Sequence, residues 1–129
     1  MEPFAVIVGG ALGGIARFWL ADLAGRRWGA SFPLGILLVN ASGAVLAGAM
    51  AALGLAGGEA AGSLVATLLV TGFLGSYTTV SSFSLQTLAL LHDGAIRQAA
   101  WNVAASLVLA VGGVALGWAL ASRLLEVPA

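Results

Sequence analysis

Residues 72–84 read Gly72-Phe73-Leu74-Gly75-Ser76-Tyr77-Thr78-Thr79-Val80-Ser81-Ser82-Phe83-Ser84, and the reading of the whole chain turns on them. Two glycines followed by a hydroxyl-rich, β-branched run make a weak helix. The run nevertheless lies inside a long apolar stretch, residues 64–91. As one unbroken helix that stretch would be about 42 Å long at 1.5 Å per residue, against a hydrocarbon core of about 30 Å. Such a helix must tilt or break, and a break inside a membrane is tolerated only where the freed backbone groups face protein or a wet cavity. The pattern predicts a break around residues 75–79, with a dense set of polar groups at the membrane midplane.

The membrane setting follows from the surroundings of this stretch. Three other apolar runs are long enough to cross a bilayer: residues 4–23, residues 34–55 with Pro33 as a first-turn residue, and residues 96–124. The expected architecture is an all-α integral membrane fold, a single domain over residues 1–129 with four spans, the third broken. Hydrophobic residues make up 60% of the 129 and charged residues 8%, with five basic and five acidic side chains and a formal charge of zero. A soluble domain of this size would need far more polar residues to cover its surface. Disorder and disulfide scaffolds fail on composition, and a chain without cysteine holds no thiol-ligated metal. A neutral balance without a basic cluster argues against nucleic acid as a partner.

Charges lie almost wholly at or between the span ends: Glu2, Asp22, Arg26, Arg27, Glu59, Asp93, Arg97, Arg123 and Glu126. Met1-Glu2-Pro3 precedes the first span without any Lys or Arg, so that span reads as retained rather than as a cleaved signal. An even number of spans puts both termini on one side. The links after spans one and three carry Arg26, Arg27 and Arg97, while the other side carries Arg123. This is a weak positive-inside bias, compatible with insertion in both orientations.

Arg17 alone places a charge within a span, where a charge is expensive and usually marks function. It either anchors a helix or attracts an anion, or else snorkels to the interface. Gly9, Gly10, Gly13 and Gly14 beside it are spaced to let another helix approach closely. Asn40, a third of the way into the second span, must find partners for its carboxamide. It glues helices together or offers its donors to a passing anion. In the third span Thr79, Ser82, Phe83, Gln86 and Thr87 share one helical face, and Asn102 and Ser106 form an i, i+4 pair in the fourth. Such a row is a neutral, donor-rich track able to replace an anion's hydration, although single hydroxyls commonly bond to their own helix backbone. The Phe83 ring has an electropositive edge that suits an anion, but the ordinary role of a membrane phenylalanine is lipid contact or core packing.

No carboxylate lies mid-span, which argues against a proton-coupled transporter. His92 sits in a link with Asp93 and Gly94, without partners for catalysis or metal binding, and no Ser–His–Asp relay exists. An enzyme is rejected on these grounds. Two alternatives remain at this level. A small dual-topology drug exporter would share the four spans but need a titratable acid, and a non-conducting membrane assembly subunit would explain the glycine-packed helices.

Over nearly its whole length the chain resembles the Fluc (CrcB) family of fluoride channels. The resemblance is carried by Gly9-Gly10-Ala11-Leu12-Gly13-Gly14-Ile15-Ala16-Arg17-Phe18, by Gly35 and Asn40-Ala41-Ser42-Gly43, and most specifically by residues 72–84. It implies an antiparallel, dual-topology dimer that lets cytoplasmic fluoride leave the cell through two pores. It also implies a structural Na⁺ at the dimer centre, held by the backbone carbonyls of Gly75 and Thr78, with Asn40, Phe83 and the polar residues of spans three and four lining the pores. Arg17 matches the family's first-span arginine. The implied setting is the bacterial inner membrane, and the implied partner is a second copy or a complementary paralogue. Two positions depart from the family pattern. Val80 stands where the first of two phenylalanines is usual, and Asn102, beside Trp101, stands where many members carry a tyrosine. Together with Thr79, Ser82, Gln86 and Ser106, these residues complete the expected ion pathway.

Overall fold

The structure, a computed structural model, describes residues 1–29 and 31–126. Residues 30 and 127–129 of the expected domain lie outside the described residues, which are helical without strands.

Helix α1 spans Glu2–Trp28. Pro3 occupies its first turn, where an amide would be unbonded anyway, and Glu2 at the start and Arg26 and Arg27 at the end match the helix dipole. The helix outruns the expected 4–23 by a polar turn whose Arg26 pairs back to Asp22 at 2.7 Å. That pair is exposed and contributes little. Gly29, at φ 82°, ends the helix with its amide on the Gly25 carbonyl. Helix α2 covers Leu34–Ala52, a turn shorter than expected, because the chain reverses at Gly54 with φ 73°.

The third apolar stretch is irregular. A three-residue α3 (Leu64–Ala66) is capped by Ser63, whose hydroxyl accepts the Ala66 amide. It passes into a π-helical segment, Thr67–Leu74, and then into α4 (Gly75–Tyr77). Nothing in the residue pattern announces the π winding, a rare form frequent at functional sites. Thr78 and Thr79 are extended, with ψ 158° and φ −154°, before α5 (Val80–His92) begins. Helix α6 (Ile96–Glu126) follows after a tight link at Gly94, φ 74°.

Four helical stretches are long and apolar enough to cross a membrane: Glu2–Trp28, Leu34–Ala52, Leu64–His92 and Ile96–Leu125. Only between 11% and 33% of their most apolar windows is buried inside the chain. Phe18, Trp19 and Trp118 instead point outward, which suits lipid as the solvent and not water.

Helices in lipid gain nothing from hydrophobic exclusion, so close packing has to hold them together. Glycine supplies it at two contacts. A methyl group on Gly9 would run into the Leu68 carbonyl, and one on Gly13 into that of Phe73, so α1 lies with its backbone against the π-helical segment. Gly48 faces the Val114 carbonyl and Gly117 faces that of Val45, which joins α2 to α6 in the same way. Between these pairs sits a small core of Val39, Leu74 and Tyr77, with Phe73 stacked on Tyr77 at 5.5 Å between ring centres.

These contacts predict a contrast along α6. Gly117→Ala drives a methyl group into backbone and should destabilise by about 1–3 kcal/mol. Gly112, with nothing within 4 Å of an added methyl, should accept alanine without loss. Thermal melting of the two detergent-solubilised variants checks the difference.

Candidate functional site

The two extended residues are held from the side by α2. The Asn40 carboxamide forms a reciprocal pair with the backbone of Thr79: Nδ2 donates to the Thr79 carbonyl at 2.9 Å, and Oδ1 accepts the Thr79 amide at 2.9 Å. Both backbone polar groups of a buried residue that has left its helix are thereby satisfied. Gly43, one turn further along α2, leaves the space that the Thr78 methyl fills. Ser42 lies between them in sequence and bonds the Tyr77 hydroxyl at 2.8 Å. The row Asn40, Ser42 and Gly43 is thus a small-residue and polar seat for residues 77–79.

Thr79 also caps α5, its Oγ1 accepting the Ser82 amide at 3.2 Å. These two captures have a consequence at the carbonyls. In an unbroken helix the Thr79 amide would bond to the Gly75 carbonyl and the Ser82 amide to that of Thr78. Here both amides are engaged by side chains, and among the described residues no hydrogen bond reaches either carbonyl. Gly75 is also exposed. Unpaired carbonyl oxygens are hard, neutral donors of the kind that hard cations take.

Around the extended pair lies an open groove of about 740 Å³, bounded by α2, α4, α5 and α6. It gathers Asn40, Gly75, Thr78, Thr79, Val80, Phe83 and Ser106 among predominantly apolar neighbours such as Leu74, Val103 and Leu107. Val80 is 78% exposed there. Three expected pathway residues lie off this groove. Ser82 has its hydroxyl against Thr79 Oγ1 at 3.2 Å. Asn102, only 2% exposed, donates to Thr87 Oγ1 at 2.9 Å and ties α6 to α5. Gln86 is half-buried, its Oε1 without a hydrogen-bond partner among the described residues. Arg17 is half-buried on α1, away from the groove lining, and makes no ion pair among the described residues.

Sequence reasoning missed the seat of Ser42 and Gly43 under Tyr77 and Thr78, and the role of Thr87. The signal for Thr87 was the i+4 spacing to Phe83, whose carbonyl its hydroxyl bonds at 2.8 Å, leaving the oxygen's lone pairs for Asn102.

Four apolar spans around a largely apolar groove that holds a few neutral polar groups define a multi-pass membrane protein. The family model described as CrcB-like protein, Camphor Resistance (CrcB), matches residues 4–118, and the chain belongs to that family. It is 44% identical over 124 residues to "Fluoride-specific ion channel FluC 4" of Brucella abortus, covering 95% of this chain and 93% of that protein. It is 50% identical over 117 residues to "Fluoride-specific ion channel FluC 2" of Rhodopseudomonas palustris, covering 90% and 89%. A third relative, "Fluoride-specific ion channel FluC 2" of Bradyrhizobium diazoefficiens, is 46% identical over 121 residues, covering 93% and 88%.

The buried Asn102 contact is directly testable. Thr87→Val removes the acceptor and leaves a buried amide donor unpaired, which should lower stability by about 1–3 kcal/mol. Thr87→Ser keeps the acceptor and should recover most of that loss in the same thermal melt.

Proposed function

We propose that the protein is a passive, fluoride-selective channel of the bacterial inner membrane, working as an antiparallel dimer with two pores. The observation that carries this reading is the groove, whose lining holds the neutral polar side chains of Asn40 and Ser106 together with the Phe83 ring, in a chain whose relatives are named fluoride-specific channels. Fluoride is small, strongly hydrated and a good hydrogen-bond acceptor. Amide and hydroxyl donors replace its water, and an electropositive ring edge adds to them without a fixed charge that would hold the ion too tightly. No bond is made or broken, so no catalytic group is required.

Fluoride enters cells as uncharged hydrogen fluoride, which dissociates inside and traps the anion. A negative-inside potential then drives it out through an open pore, by about 2.3 kcal/mol per charge per 100 mV. The direction of flow comes from the electrochemical gradient, without coupling to protons, in keeping with the absence of a carboxylate at mid-span. Val80 lines the groove with a valine where an aromatic edge is usual, so the pore has one ring, Phe83, to meet the ion.

The interrupted third span and the dimer belong together in this reading. The groove is open, and exposed Gly75 and Val80 lie on its lining. A second copy laid antiparallel over this face closes it into a pore. It also brings a second Gly75 and Thr78 to the first, so that four carbonyls surround one sodium ion and offset the cost of leaving them unpaired in the membrane. Arg17 adds positive charge to a bundle that passes anions. The weak arginine bias between the two sides suits insertion in both orientations.

Efflux from liposomes tests the function. Reconstituted protein should release fluoride much faster than chloride under the same driving potential, and equal rates or no flux would defeat the channel reading. Val80→Phe should keep or raise fluoride flux, and a complete loss would mean that the groove closes differently. Phe83→Ala and Asn40→Asp should both slow it, the second by setting a negative charge in an anion's way. Wild-type rates in both would remove these side chains from the pathway.

A further inference from the structure

We infer that Asn40 is a positioning residue for the cation site, because its carboxamide oxygen takes the amide that would otherwise cap the Gly75 carbonyl. This rests on the sodium reading above and adds the question of what keeps the ligands available. A bare carbonyl next to a helix end is not a stable arrangement. The nearest donor is the amide four residues on, and closing that bond would extend α4 by a residue and silence the oxygen. In this chain that amide belongs to Thr79, and Asn40 Oδ1 holds it at 2.9 Å. Asn40 Nδ2 grips the carbonyl of the same residue, also at 2.9 Å, so the peptide groups on both sides of the Thr79 Cα are held against turning back into the helix.

The same carboxamide lines the groove, and Nδ2 has a second N–H beyond the one spent on Thr79. One side chain thus stands between two tasks: a donor towards the anion pathway and an acceptor that keeps a cation ligand free. The acceptor task falls to Oδ1, while Nδ2 is shared between the Thr79 carbonyl and the pathway. Asn40→Ala loses both. Asn40→Asp keeps an oxygen to accept the Thr79 amide but has no N–H for the Thr79 carbonyl or for an anion.

The test is thermal melting of the purified protein in detergent, titrated with NaCl against N-methyl-D-glucamine chloride at constant ionic strength. The wild type should gain melting temperature with Na⁺ at a definite half-maximal concentration. Loss of a group that orients metal ligands costs roughly 10–100-fold in metal affinity, so Asn40→Ala should raise that concentration by about tenfold or more. A merely structural role would lower the melting temperature equally at every Na⁺ concentration and leave the midpoint unmoved, which would overturn the proposal. If Asn40→Ala does not assemble, Asn40→Ser, too short to reach the Thr79 amide, takes its place with the same expected shift. A wild type indifferent to Na⁺ would fell the sodium reading itself, and this inference with it. A wild type that responds while Asn40→Ala keeps its midpoint fells the inference alone.

Discussion

Hydrocarbon offers a peptide group no partner, and each one left unpaired there costs several kcal/mol. Everything around residues 77–79 answers to that constraint. Two extended residues interrupt a helical stretch of a membrane protein, and they persist because Asn40 supplies, from a neighbouring helix, both the acceptor and the donor that the Thr79 peptide needs. The Thr79 hydroxyl does the same service for the first turn of α5. What these side chains satisfy on one side they expose on the other, at the carbonyls of Gly75 and Thr78.

The reach of a carboxamide is short, so this arrangement depends on α2 lying very close to the third stretch. Gly43 is the clearest sign of that distance: any larger side chain would strike the Thr78 methyl and lengthen the Asn40 contacts. The position of α2 is fixed in turn by α6, through Gly48 and Gly117 set against carbonyls of the opposite helix. Helix α1 holds the π-helical segment from the far side through Gly9 and Gly13. Glycines that looked in the sequence like generic packing residues therefore set a distance that the polar chemistry requires.

Much of the architecture was legible because it follows from local properties. Apolar length marks the four spans, all of which recur as helical stretches long enough to cross a membrane. The candidate site was legible only in part. Asn40 stood out as a buried polar group, but its target is a backbone 39 residues away, and a backbone carries no residue code. Helical spacing put Ser82, Asn102 and Phe83 among pathway candidates alike. The structure turns Ser82 to Thr79, buries Asn102 against Thr87 and leaves Phe83 in the groove. Those differences arise from how α5 and α6 rotate against their neighbours, which periodicity does not determine. The π winding of Thr67–Leu74 was equally hidden, since it shows in the hydrogen-bond pattern and not in composition.

The contact between Asn40 and Thr79 is lopsided: one partner contributes a side chain, the other only its main chain. A codon change at position 79 leaves the peptide that Asn40 grips in place, whereas almost any change at position 40 abolishes the grip. The two halves of one bond thus carry unequal genetic risk. Drift can sample position 79 as far as its helix-capping duty allows, while position 40 has almost no neighbours in sequence space that preserve the connection.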